Sequence, residues 1–155
     1  MRIRRFQEED AALVSELIAT TLRKTNAENY SVEYIENLIQ HLNPKEILRR
    51  AKVTHFYVVY QEGKIIGCGA VGPYWDKTDE SCLFTVFVHP DYQRKGVGRK
   101  IIETLEQDEY FLNSKRVEVP SSITACDFYR KMGYAFKKGG DVPDADQLYR
   151  LEKYR

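Results

Sequence analysis

Residues 86 to 100 read VFVHPDYQRKGVGRK: an apolar run, a proline, then four cations set around two glycines. Gly96 and Gly98 stand where the next segment must begin a helix, flanked by Arg94, Lys95, Arg99 and Lys100. The chemistry this suits is anion binding. The first N–H groups of a helix have no intrahelical partner, and the helix dipole favours negative charge there. Glycine omits the Cβ that would hold a phosphate away from those amides, and the cations supply charge around it. No GxxxxGK[ST] string occurs and the turn itself carries no GxGxxG, so it is neither a P-loop nor a dinucleotide fingerprint. On these residues alone, an ordinary strand-to-helix turn with solvated basic side chains stays open.

Other elements must position that turn. Ile3 to Phe6 can form a first strand. From Asp10, a fair N-cap, Leu13, Leu17, Ile18, Thr21 and Leu22 fall at helical spacing. A second helix from about Ser31 carries Val32, Ile35, Ile39 and Leu42 on one face and ends at Pro44, and Lys45 to Ala51 is a further helical piece. HFYVVY and KIIGCGAVG, joined by QEGK, read as a hairpin. SCLFTVFV is the strand that feeds the glycine turn. After it, GVGRKIIETLEQDEYF sets Val97, Ile101, Ile102 and Leu105 on one side of an amphipathic helix. RVEV is a short strand, SSITACDFYRKMGY a helix from Ser122 with Gly133 as its C-cap, and QLYRLEKY a last strand, with a further short strand near Tyr134 to Lys137. The order β-α-α-β-β-β-α-β-α-β predicts a mixed sheet with helices packed on it.

Composition excludes several classes. The chain has 155 residues, 43% hydrophobic and 30% charged, as in a globular domain with a real core. A net charge of +1 argues against a polycationic nucleic-acid binder. Cys68, Cys82 and Cys126 are odd in number and form no CxxC pair, so neither a disulfide framework nor a zinc site is expected. No apolar stretch is long enough to span a bilayer and the N-terminus lacks a signal-peptide core, so the expectation is a cytoplasmic chain without membrane contact.

The longer string around the glycines narrows the reading. Gln93-Arg94-Lys95-Gly96-Val97-Gly98 resembles the [QR]-x-x-G-x-[GA] signature of the GCN5-related N-acetyltransferase (GNAT) superfamily. SSITACDFYRKMGY resembles that family's later segment through Ser122, Ala125, Phe128, Tyr129, Gly133 and Tyr134. MRIRRFQEEDAALVSEL is similar to its opening strand and helix, and YRLEK to its closing strand. The resemblance implies one N-acetyltransferase domain over residues 1–155. Its class would be α/β (α+β), with a mixed, mostly antiparallel central sheet and helices on both faces. It implies acetyl-CoA as cofactor, CoA as product and a small-molecule or peptide amine as acceptor, with neither nucleic acid nor metal involved. Homodimers are common in that superfamily.

By the same resemblance, the pyrophosphate of acetyl-CoA would sit on the amides from Arg94 to Arg99. The pantetheine would run along the strand ending at Phe87 and Val88, in a split the periodicity does not reveal. Gln93, Phe128 and Ser122 would also touch the cofactor, although Ser122 equally well caps its helix. A backbone N–H near Val88 would meet the developing oxyanion. Tyr129 would be the acid at the leaving sulfur, its alternative being a core aromatic at helical spacing. No base is assigned: Cys82, Phe84 and Val86 share the inner face of the strand, and Glu80, Glu118 and His89 read better as solvated, loop-anchoring or loop residues. Helices of the N-terminal half and the loop GPYWDKTDE, with Tyr74 and Trp75, would wall the acceptor site. Acidic groups at Asp76, Asp79 and Glu80 and at Asp141, Asp144 and Asp146 suggest a cationic acceptor. A CoA-binding module without transfer, and less readily a nucleic-acid binder, remain as rivals.

Overall fold

The computed structural model describes residues 1–155. The chain runs β1 (Arg2–Arg5), α1 (Ala11–Thr25), α2 (Val32–His41), α3 (Pro44–Val53), β2 (His55–Gln61), β3 (Lys64–Pro73), β4 (Glu80–Val88), α4 (Val97–Leu105), α5 (Glu109–Leu112), β5 (Arg116–Ser122), α6 (Cys126–Lys131), β6 (Ala135–Phe136) and β7 (Leu148–Tyr154). The strands form one seven-stranded sheet in the order β1-β2-β3-β4-β5-β7-β6. Every neighbouring pair is antiparallel except β4 and β5.

Period-two alternation divides the core between the two faces. Val58 and Ile65 join the helices α1, α2 and α3 on one side. Their neighbours Val59 and Ile66 join α4, α5 and α6 on the other. The mixed, mostly antiparallel sheet with helices on both faces is therefore observed. No helix is long and apolar enough to cross a membrane.

Several boundaries differ from the sequence reading, each for a local reason. Asp10 does not cap α1 with its side chain; its carboxylate is buried against Arg4 and accepts the Gln7 N–H. Pro44 opens α3 behind the Asn43 cap rather than closing α2, since its missing N–H costs nothing at a first helical position. Leu13 and Val32 are exposed, and Val14 takes the inward place in α1. The long helix after the glycines breaks in two because Asp108 leaves it. That carboxylate accepts the Tyr110 N–H to start α5 and also bonds the Tyr57 hydroxyl. The helix expected from Ser122 begins at Cys126, because β5 continues through Pro120 to Ser122.

Candidate active site

The cleft begins where two strands stop pairing. β4 and β5 match only at Glu80–Arg116, Ser81–Val117 and Cys82–Glu118, and beyond that they diverge. Pro120 lies on the open lip. Arg150 opposite it spends its N–H on Gly140 and its carbonyl on Lys137, so the proline nitrogen faces the gap, where no ladder bond is needed.

On the other lip, β4 carries a bulge at Thr85. Ala70 pairs with Phe84 but Cys68 pairs with Phe87, one residue out of step. Thr85 sits at φ +57°, a conformation costly for a β-branched residue. It is held there by Arg50, which donates to its hydroxyl at 3.0 Å, and by the Cys68 thiol on its carbonyl at 3.2 Å. The bulge reverses the faces of all that follows: Val86 and Val88 pack on the α4 side, Phe84 and Phe87 on the α1 side. The expected common face of Cys82, Phe84 and Val86 is thereby corrected. His89 donates its N–H to Ile66 across the β3 ladder at 2.8 Å. By alternation the Val88 backbone points away from β3, and its carbonyl accepts the Gln93 amide at 2.8 Å.

Next comes the glycine turn. Arg94 and Gly96 both take left-handed backbone, at φ +62° and +83°. Left-handed residues alternating with one of ordinary φ turn successive backbone amides inward as a nest. The N–H groups of residues 94 to 99 find no acceptor within the chain, the first backbone bond after them being Lys100 to Gly96. Six free amides in a row at a helix N-terminus can hold an anion of phosphate type. The two glycines serve different ends. A Cβ on Gly96 would meet nothing, so its need is conformational. A Cβ on Gly98 would lie 3.0 Å from Phe128 Cζ, so its need is packing against α6. The expectation that Gly98 simply clears the way for phosphate misses that contact.

A cleft of about 450 Å³ joins these parts. Phe87, Val88, Gln93, Arg94, Gly96, Gly98, Arg99, Ser122, Phe128 and Tyr129 all line it; Lys95 and Val97 do not. Val97 is a core residue, and the Lys95 ammonium lies over the Tyr92 ring. Ser122 accepts the Ala125 N–H at 3.1 Å, capping the turn before α6. Its hydroxyl proton stays free. Tyr129 is 5% exposed, and what shows opens into the cleft, where its hydroxyl has no partner in the chain. Burial pushes its phenol well above the usual range, so it stays protonated.

The wall opposite was not legible. Tyr30 and Tyr34 stack at 4.6 Å. The Tyr30 hydroxyl accepts the Ile123 N–H and donates to the Gln147 carbonyl, both at 2.8 Å. Tyr34 donates to the Asp146 carbonyl at 2.7 Å. Two tyrosines thus tie the start of α2 to the β5–α6 turn and the β6–β7 loop. Their i, i+4 spacing was the only signal.

The remaining candidates lie elsewhere. Glu118 is neither solvated nor a loop anchor: it is fully buried, bonded to Arg116 and, at 3.0 Å, to Lys137. Burial pushes its carboxyl up, but those two cations hold it below the ordinary value. Glu80 bonds Arg116 at 2.9 Å, and His89 accepts the Asp91 N–H within its own turn. Tyr74 lies against Arg116 and Lys137. Trp75 is 83% exposed at the tip of its loop, so neither aromatic lines the cleft nor packs as core. Asp79 pairs with Lys115 and Asp144 with Arg150, and no carboxylate lines the cleft. The acidic loops do not form its wall. No group of three or more His, Cys, Asp or Glu is placed to hold a metal ion.

A strand-to-helix anion nest beside a split sheet defines a known class of fold. The acetyltransferase (GNAT) domain model matches residues 52–135. The chain belongs to the GNAT acetyltransferase family, whose members use acetyl-CoA. It is similar to the amino-acid acetyltransferase of Pseudomonas aeruginosa, 28% identical over 94% of this chain and 38% of that one. The Pseudomonas syringae counterpart is 31% identical over 70% of this chain and 25% of its own length. The chain thus spans well under half the length of these curated relatives. Among solved structures, the PaiA N-acetyltransferase of Thermoplasma acidophilum, in complex with coenzyme A, superposes with a TM-score of 0.84 at 18% identity, covering 99% of this chain and 98% of that one. A GCN5-related N-acetyltransferase from Rhodopseudomonas palustris gives 0.79 at 21% identity, covering 99% and 95%. At such identity these two speak for the fold.

Proposed function

We propose that residues 1–155 work as one N-acetyltransferase domain that moves an acetyl group from acetyl-CoA to a primary amine by direct transfer. The observation that carries this reading is the run of six unpaired amides, 94 to 99, at the cleft where β4 leaves β5, with Arg94, Gly96, Gly98 and Arg99 of that run lining it. Acetyl-CoA supplies the acetyl group already activated as a thioester. The amides of Arg94, Lys95, Gly96, Val97, Gly98 and Arg99 would hold its pyrophosphate, with the Arg94 and Arg99 side chains adding charge. Gln93 fixes the turn through the Val88 carbonyl. Phe87 and Val88 offer backbone groups along one lip, Ser122 a hydroxyl proton from the other, and Phe128 closes the side.

The Val88 N–H, pointing away from β3, would serve the carbonyl oxygen that gains negative charge during transfer. Tyr129, whose hydroxyl has no partner in the chain, would donate a hydrogen bond to the departing sulfur. A phenol of ordinary pKa giving its proton to a thiolate is already uphill by roughly 2 kcal/mol, and the upward shift of Tyr129 adds to that. Hydrogen-bond donation, rather than complete proton transfer, is therefore its part. Glu80, Glu118 and His89 are committed to other partners, so the amine arrives neutral or loses its proton to water.

The Pseudomonas relatives are named amino-acid acetyltransferases, which makes a free amino acid one candidate acceptor. The test is calorimetry with acetyl-CoA, with duplex DNA as control, followed by thiol release over a panel of amines. Binding with turnover supports the reading. Binding without turnover of any amine would leave a CoA-binding module, and tighter binding of DNA would reject the site.

A further inference from the structure

The half of the cleft walled by α1 and α2 has a one-sided chemistry. Leu22, Tyr34, Ile35, Leu38, Phe84 and Leu148 face it, and the two tyrosine hydroxyls are spent on backbone carbonyls, leaving the rings to offer. The only charged residues lining the whole cleft are Arg94 and Arg99, both at the other end beside the start of α4. Polar side chains on the α1 part of this wall are few: Thr21, whose hydroxyl bonds the Leu17 carbonyl at 2.8 Å, Thr25, and Asn26. Asn26, which ends α1, is 7% exposed, lines the cleft and makes no side-chain hydrogen bond within the chain. No fully enclosed polar side-chain atom lacks a partner, so the unpaired Asn26 amide keeps some exposure, and the residue lines the cleft. A carboxamide so placed is costly unless something bonds it.

We propose that the acceptor is a primary amine on an uncharged, apolar body, aromatic or branched aliphatic, and that Asn26 is the side chain that hydrogen-bonds it in place. The proposal rests on the acetyl-transfer reading above. A free amino acid would bring a carboxylate to a wall with no cation, and a polyamine would bring further ammonium groups to a wall with no carboxylate. Unpaired charges of either sign resist entry into such a site. The same wall accounts for the missing base. With no carboxylate lining the cleft, burial disfavours the ammonium form and lowers the amine pKa, so its extra proton goes to water on entry. The neutral nitrogen then forms the C–N bond as the C–S bond breaks. Nitrogen gives up one more proton, sulfur takes one up, and the products are an amide and the CoA thiol.

The experiment compares 2-phenylethylamine, spermidine and L-glutamate at saturating acetyl-CoA, reading released thiol, for the native chain and for Asn26→Ala, Asn26→Ser and Asn26→Asp. Specificity for 2-phenylethylamine should exceed that for the other two by about tenfold or more. Asn26→Ala should raise its KM by about tenfold while leaving the KM for acetyl-CoA unchanged, and Asn26→Ser should recover part of the loss. Asn26→Asp should move preference toward spermidine. The pH profile of kcat/KM should climb with a log slope of about one up to the amine's own pKa, without a plateau near neutrality. Preference for spermidine or glutamate, or an amine KM unmoved in both the Ala and Ser variants, would overturn the proposal and leave acetyl transfer standing. No thiol release from any of the three, nor from a wider amine panel, despite acetyl-CoA binding, would overturn the reading beneath it.

Discussion

Gly98→Ala separates two reasons for a glycine in the anion turn. The added Cβ would stand 3.0 Å from Phe128 Cζ and 3.1 Å from Cε1, where carbon pairs prefer about 3.5–4.0 Å. The ring must retreat by roughly half an ångström, and overpacking of this kind costs about 1–3 kcal/mol. Alanine's better helix propensity returns up to about 1 kcal/mol. The net loss therefore lies between about 0 and 3 kcal/mol, a fall of at most roughly ten degrees in Tm for a chain of this size. Phe128 lines the cleft, so if about 1 kcal/mol of that strain is carried into ligand binding, the Kd for acetyl-CoA rises about fivefold. Calorimetry should be run on Gly98→Ala, Phe128→Leu and the double variant. With the ring edge gone, the alanine should become nearly harmless, giving a coupling energy of about 1 kcal/mol. An equal loss in both backgrounds would show that the Cβ obstructs the anion directly and that the ring contact is incidental.

Tyr129→Phe should lower kcat by about ten- to a thousandfold with the acetyl-CoA Kd unchanged; pre-steady-state thiol release and calorimetry together check it. Tyr30→Phe leaves the Ile123 N–H and the Gln147 carbonyl without their shared partner, and should cost about 1–3 kcal/mol in urea unfolding. Arg94→Ala should weaken acetyl-CoA binding far less than Gly96→Val, because an exposed side-chain charge is screened whereas the left-handed backbone is not replaceable by a β-branched residue. Acid should unfold the chain through its paired carboxylates. Hydrogen bonds from Arg49 and Arg50 hold Glu46 down to about 2, from an ordinary 4.5. Glu118 is also lowered, its cations outweighing its burial. A depressed carboxyl contributes fully above its unfolded value, so stability by thermal melts should be flat above pH 4.5 and fall as pH drops from there toward 2. In Glu46→Gln that fall should be shallower.

The parts of this fold that were legible are those whose signal is periodic or local. Val58 and Val59, or Ile65 and Ile66, announce the two faces of the sheet by alternation alone. The residues of the anion turn were legible too, because glycine and cations at a helix start have few other uses. The reason for Gly98 was not, since Phe128 lies thirty residues away in sequence and only the fold brings its ring there. The bulge left no trace either: threonine is a poor residue for a left-handed position, and only Arg50 and Cys68 hold Thr85 in it. Missing that one residue put Val86 on the wrong face. Ser122 misled in another way. Its hydroxyl does cap, but it caps a turn within SSITA, four residues before α6 starts. Glu118 was misread because RVEV shows a charge on alternate residues, as a solvated strand face would; the cations that bury it come from β5, β6–β7 and β7. Asn26 carried no sequence signal at all.

A β-sheet usually has two edges, and each is an invitation to pair with a foreign strand. This one has four. The outer two are blunted: β6 is two residues long, and β1 is four residues that include three arginines. The inner two arise where β4 and β5 part company, and on β4 the unpaired stretch runs from Leu83 to Val88. An edge of that length on the outside would template aggregation. Here it is covered by α1 on one face and by α4 on the other, and only the cleft gives access to it. The chain has taken the most adhesive surface a β-protein owns and turned it inward, so that what would have been a hazard of assembly becomes selectivity for narrow guests.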